Sequence, residues 1–213
     1  MPHFSQEHTV NIDMSTLSPG QTYFTLIQTV IPRPVAWVLS ENEGGDYNLA
    51  PFSYFNAVCS DPAMVILSIS PKVGEGEKDT RINIEARREF VIHIAHRELA
   101  QPLTQSSAPL EYGESELDQL DLTLTNFEGF RLPRLAETRV AFGCTLEKAE
   151  SIGNANQCLV FGRVERLYVD DSVVETDAKG RQNFAAEKID PIGRLGGGEY
   201  TTFGEKIFIP RPT

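Results

Sequence analysis

Alternation of apolar and polar positions is clearest in "AMVILSIS", residues 63–70. Val65, Leu67 and Ile69 fall on one face, and Ile66, Ser68 and Ser70 on the other, the period of a strand with one buried side. Val35–Ser40 and "EFVIHIA" (89–95) are likewise rich in strand formers. Two longer runs, 138–151 and 156–174, flank a Gly153-Asn154 turn and predict a long hairpin. Helical spacing marks 21–31, which the Pro32/Pro34 pair stops, and "KDTRINIEARREF" opens with cap-type residues that predict a second helix. Shorter helices are expected in "HRELAQPLTQSS" and "GESELDQL", and a hairpin turn in "SENEGGD".

Strands therefore recur without regularly alternating helices. That order favours a mainly β fold, an antiparallel barrel with peripheral helices, over a βαβ sheet. Neither an internal repeat nor a low-complexity linker divides the chain. Residues 1–213 are expected to form one domain, with a loose N-terminal extension over 1–20 and a C-terminal tail over 200–213.

Composition narrows the function classes. The 213 residues are 40% hydrophobic and 23% charged, the profile of a globular protein with a real core. Nineteen Lys+Arg against thirty Asp+Glu give a formal charge of −11. With no basic cluster, such a chain is poorly suited to nucleic acid, though a few local donors can still hold one anionic ligand. Cys59, Cys144 and Cys158 are odd in number and widely spaced, which suits a reducing compartment better than a disulfide framework or a zinc site. No apolar run approaches a membrane span, and "MPHFSQEHTVNID" lacks a basic and then apolar leader pattern, so a cytoplasmic protein is expected.

Three segments could carry chemistry. In "NLAPFSYFN" (48–56), Pro51 stiffens the backbone, Ser53 and Asn56 offer donors, and Phe52, Tyr54 and Phe55 offer walls for a flat heteroaromatic ligand. An aromatic-rich turn packed on a barrel mouth reads the same way. The hydroxyls of Ser68 and Ser70 face either solvent or a polar pocket. Around Lys78, Asp79 and Thr80, free N–H groups and the positive end of a helix dipole would suit a phosphate, as they would an ordinary capped surface helix. The run is not a P-loop, since a glutamate precedes the lysine. His93 and His96 lie three apart with no third ligand nearby, so no metal is expected and a satisfied core or pocket histidine is.

The order of these segments supplies a further reading. "RPVAWV", "NLAPFSYFN", a "DP" before the Ser-x-Ser strand, "KDT" with Asn83, "EFVIHI", "FGCTLE", "LVFGRVERLYVDD" and "PIGRLGGGEY" together resemble the flavin reductase-like, FMN-binding split-barrel family, over roughly residues 20–200. The resemblance implies an antiparallel Greek-key split β-barrel and a homodimer with FMN at or near the subunit interface. It places flavin contacts on the strand around Trp37 and on Asn48, Leu49, Ala50, Pro51, Ser53 and Asn56. Ser68, Ile69 and Ser70 would approach through backbone and hydroxyls, and Lys78, Asp79 and Thr80 would hold the phosphate or a ring edge. Arg194 and Tyr200, with Gly196 and Gly197, would complete the site, from the same chain or from the partner, unless the segment is simply a glycine-rich turn. The implied chemistry is hydride transfer from NADH or NADPH to flavin N5, with no protein acid or base required. The alternatives are tightly held FMN serving another acceptor, and a binding or storage protein without turnover.

Overall fold

The computed structural model describes residues 10–72, 74 and 76–212. The part of the extension expected over residues 1–9, with His3 and His8, lies outside the described residues. Seven strands build one antiparallel sheet: β1 (Ala36–Glu41), β2 (Tyr47–Phe52), β3 (Phe55–Ser60), β4 (Ala63–Ile69), β5 (Glu89–Ile94), β6 (Val140–Ile152) and β7 (Gln157–Val169). Their order is β2-β1-β5-β6-β7-β4-β3. The two edge strands, β2 and β3, are thus consecutive in sequence and joined by Ser53-Tyr54. The corner between them is held to β4, where Ser68 N–H donates to Tyr54 C=O at 2.9 Å, and the two edges do not pair. The barrel is mainly β, as its pattern predicts, and it is split along this seam.

Curvature has a local cause. The β6–β7 ladder slips twice, between Phe161 and Gly162 and between Val164 and Arg166, and each extra residue bends its strand and adds twist. Gly162 is required beside the first slip, because a Cβ there would sit 2.6 Å from the Phe90 ring. Of the two long strands, β6 reaches Ile152 as its run suggests, whereas β7 ends at Val169, five residues sooner than its run over 156–174. After Val169 the chain makes a 3-10 turn (Asp171–Val173) and a short pair, Val174–Thr176 with Gln182–Phe184.

Both faces of the sheet are covered. Trp37, Leu39, Leu49, Val91, Leu103, Leu132 and Leu135 pack on one side; Val38, Ile69, Ile84, Phe90, Ile92 and Val160 pack on the other. This is why Ala36–Ser40 is buried throughout and reads as a continuous apolar run instead of an alternating one.

Helix α1 (Pro19–Thr29) starts two residues before its apolar spacing does, because Ser18 and Gln21 form a capping box with Pro19 in the first turn. Buried Arg33 closes its other end: Nη1 donates to the carbonyls of Ile27 and Val30, and Nη2 reaches Leu195 C=O at 2.9 Å. Helix α2 (Asp79–Arg87) ends at Arg88 in the left-handed region, φ 70°. Helix α3 (Ala100–Gln105) follows a 3-10 turn, and "GESELDQL" forms a 3-10 turn over Glu116–Gln119. A three-stranded sheet of Arg33–Pro34, Gly193–Arg194 and Tyr200–Thr201 returns the C-terminal segment to the start of β1.

Candidate functional site

Pro51 lies within a strand, where a loop was expected. Proline removes a ladder donor, so it is confined to an edge with its nitrogen facing outward. β2 is such an edge, and on it residues 47, 49 and 51 turn their backbone groups away from β1. Leu49 shows the direction, its N–H donating outward to Glu116 Oε2 at 2.8 Å. The free edge thus faces the N-terminus of α2 and the 106–116 loop.

Buried amides hold α2 in this place. Asn48 Nδ2 donates to Thr80 Oγ1 at 2.9 Å, and Asn83 Nδ2 donates to Asn42 Oδ1 at 2.7 Å and Ser40 Oγ at 3.2 Å. Lys78 occupies the N-cap position without a side-chain cap bond, so the first turn keeps donors directed outward. Its ammonium lies 5.4 Å from the centre of the Phe52 ring, and burial lowers its pKa.

Between these parts lies a cavity of about 310 Å³, lined by Asn48, Ala50, Pro51, Lys72, Lys78, Asp79, Thr80, Glu116 and the loop 106–110. That volume is within the usual range of small-molecule pockets. Asp79 is tied down twice, by Lys72 Nζ at 2.7 Å and by Gly113 N–H at 3.2 Å. The Glu116 carboxyl is pushed up to about 7, first by burial and then by the Asp79 charge, against the Leu49 N–H and Lys72. Trp37 is fully buried beneath the wall, donating from Nε1 to Ser106 Oγ at 2.8 Å, and Ser106 in turn donates to Leu103 C=O.

Six of the residues expected at a site therefore share one cavity: Asn48, Ala50, Pro51, Lys78, Asp79 and Thr80. Trp37 and Leu49 support it through the bonds described. The others lie elsewhere in this chain. Ser53 accepts from Arg33 Nε at 3.4 Å, and Asn56 folds back onto Ala57 N–H. Ser68 accepts from Gln157, Ile69 is core and Ser70 is exposed. Arg194 stacks 4.5 Å over Tyr200, whose hydroxyl accepts from Thr104. Lys72, the 106–110 loop and Glu116 were not anticipated. The Ser-Ser-Ala-Pro run was the one available signal, since a helix ending there must turn. His93 is a satisfied core histidine: Nδ1 donates to Trp37 C=O at 3.1 Å and Nε2 accepts from Leu135 N–H at 3.0 Å.

A split antiparallel barrel with a donor-rich cavity beside an open strand edge defines a class of ligand-binding β proteins. The chain belongs to the flavin reductase like domain family, whose profile matches residues 28–185. It is 34% identical to the uncharacterized protein YwrF of Bacillus subtilis over 201 residues, 92% of this chain and 96% of that one. Among solved structures it is similar to nitrilotriacetate monooxygenase component B from Bacillus cereus (33% identity, TM-score 0.87, covering 96% of this chain and 100% of that one). It is also similar to 2-nitrobenzoate 2-nitroreductase NbaA from Pseudomonas fluorescens (28% identity, TM-score 0.85, covering 96% and 97%).

Proposed function

We propose that the protein is an FMN-binding oxidoreductase of the NAD(P)H:flavin reductase type, working as a homodimer in the cytoplasm. The observation that carries this reading is the meeting, in one cavity, of the uncapped α2 N-terminus, Lys72, Lys78 and the free edge of β2. Helix N–H groups, the Thr80 hydroxyl and two ammonium groups are a donor set suited to a phosphate. The outward carbonyls of Leu49 and Pro51 suit the polar edge of a flat ring. The residues present thus fit FMN.

Bound there, FMN would supply the hydride-accepting chemistry. The protein's own share is to hold and orient it. Pro51 keeps the strand edge rigid, Asn48 fixes Thr80, and Lys78 places positive charge at the phosphate or beside the ring. The 106–110 loop walls water from one side.

Titrating flavin-stripped protein with FMN, followed by fluorescence, tests the reading. A Kd near ~1 μM, about −8 kcal/mol, fits flavin that comes and goes as a substrate, and one near ~1 nM, about −12 kcal/mol, fits a resident cofactor. No binding would overturn the proposal. The likeness to a 2-nitrobenzoate 2-nitroreductase favours a second reading, resident FMN passing electrons to another acceptor. Stopped-flow reduction by NADH or NADPH, with and without a nitroaromatic acid, separates the two. A storage protein would bleach no faster than free flavin.

A further inference from the structure

Glu116 is an unusual wall for an anion site. Its carboxylate accepts from Leu49 N–H, the one outward amide donor on the part of β2 that lines the cavity, at 2.8 Å. It is 9% exposed and forms part of the same wall as Asp79. The charged groups that line the cavity with it are Asp79 on α2, Lys72 on the preceding loop and Lys78 at the helix N-cap; Asp118, on its own turn, is exposed and outside the lining. β2 presents no charged side chain.

Counting the ionisable groups of the lining settles the sign. Lys72 and Lys78 against Asp79 alone leave +1; ionising Glu116 brings the sum to 0. A protonated Glu116 also changes role, keeping one oxygen for Leu49 N–H and offering an O–H donor to a ligand oxygen. An anion entering the cavity therefore favours the protonated form twice, by charge and by hydrogen bonding.

We propose that Glu116 takes up a proton from solvent when an anionic ligand fills the cavity, so that ligand binding and proton uptake are coupled at this residue. The inference rests on the flavin reading above and concerns how that site is regulated. Burial and Asp79 already hold the free carboxyl at about 7, so the coupling acts across neutral pH. A second, smaller cavity shares Ala108, Leu110 and Glu116 with the first, adding Gln105, Gln119 and Leu120. Glu116 thus borders a second space from which a proton can reach it.

Calorimetric FMN titrations near pH 7.5, in two buffers of different ionisation enthalpy, read the proton directly. The native protein should take up more protons per FMN than Glu116→Gln, by up to about three quarters of a proton at this pH. Phosphate ionisation on FMN is common to both and drops out of the difference. The native Kd should rise with pH above neutrality, by up to about tenfold per unit, while the Kd of E116Q, whatever its absolute value, should lack that rise. Equal proton uptake in the two proteins overturns the coupling and leaves the flavin reading standing. FMN bound by neither overturns both. Should E116Q fail to fold, carbon NMR of the glutamate carboxyls in the native protein serves instead. The Glu116 midpoint should move up on adding FMN, and an unmoved midpoint refutes the proposal.

Discussion

His93 and Glu116 are two buried groups whose protons pull stability in opposite directions. His93 is neutral in the fold, its pKa lowered to about 3 mainly by burial, whereas the unfolded imidazole titrates near 6.5. Its contribution is complete above that unfolded value and is lost as pH falls toward 3, at about 1.4 kcal/mol per pH unit. Glu116 keeps its proton in the fold up to about 7, while the unfolded carboxyl loses it near 4.5, so stability declines as pH rises through that window. From pH 4.5 to 6.5 the unfolded chain gains one proton at His93 and lacks one at Glu116, and the slopes oppose. Glu116→Gln should uncover the His93 slope. Urea unfolding at pH 5 and 6.5 should then show a gain of about 2 kcal/mol in the variant and less in the native protein. The same slope in both would refute this pairing.

At the scale of elements, the site stands on one helix and one strand edge. Lys78 is the N-cap of α2, and its ammonium is half-buried over Phe52. Lys78→Ala should weaken FMN binding by about 1–2 kcal/mol, the scale of a lost charge-assisted hydrogen bond. An unchanged Kd would remove Lys78 from the site.

The existence of α2 is legible in "KDTRIN", but its cap is not: Asp79 and Thr80, expected to cap the helix, are its first two residues, and Lys78 stands at the N-cap with no side-chain cap bond. β4 is equally legible from its period of two. "NLAPF" was not read as a strand, because proline argues against one until the pairing register shows its nitrogen facing a free edge. Glu116 and Lys72 were invisible for another reason. Each sits in a short polar segment that reads as solvated surface, and only the fold brings both against Asp79.

On the whole molecule, apolar side chains remain exposed around α1 and, separately, along the tail. Tyr23, Phe24, Val30 and Ile31 of and after α1, Tyr54 at the barrel corner, and Ile207, Phe208 and Ile209 of the tail are all exposed. Of these, Tyr23 and Phe24 are neighbours, their ring centroids 5.8 Å apart, and adjoining exposed aromatics of this kind suit an interaction surface, in line with the proposed homodimer. Light scattering should give about twice the 23.7 kDa of the chain, and Phe24→Asp should shift the mass toward one copy. A flavin-loaded native monomer would withdraw the dimer, and with it any role of Arg194 and Tyr200 at a partner's cavity.

The order of the sheet has a consequence for how the protein is made. β4 finds no permanent neighbour on its inner side until β7 exists, since Ile69 pairs with Cys158, 89 residues later (158 − 69). A chain emerging from the ribosome therefore carries Val65, Leu67 and Ile69 unpaired on that side while the 89 residues up to Cys158 are synthesised. Pairings this distant close slowly and leave apolar strands open in the meantime. The barrel in this sense closes late, with β4 presenting an open strand edge until β7 is made.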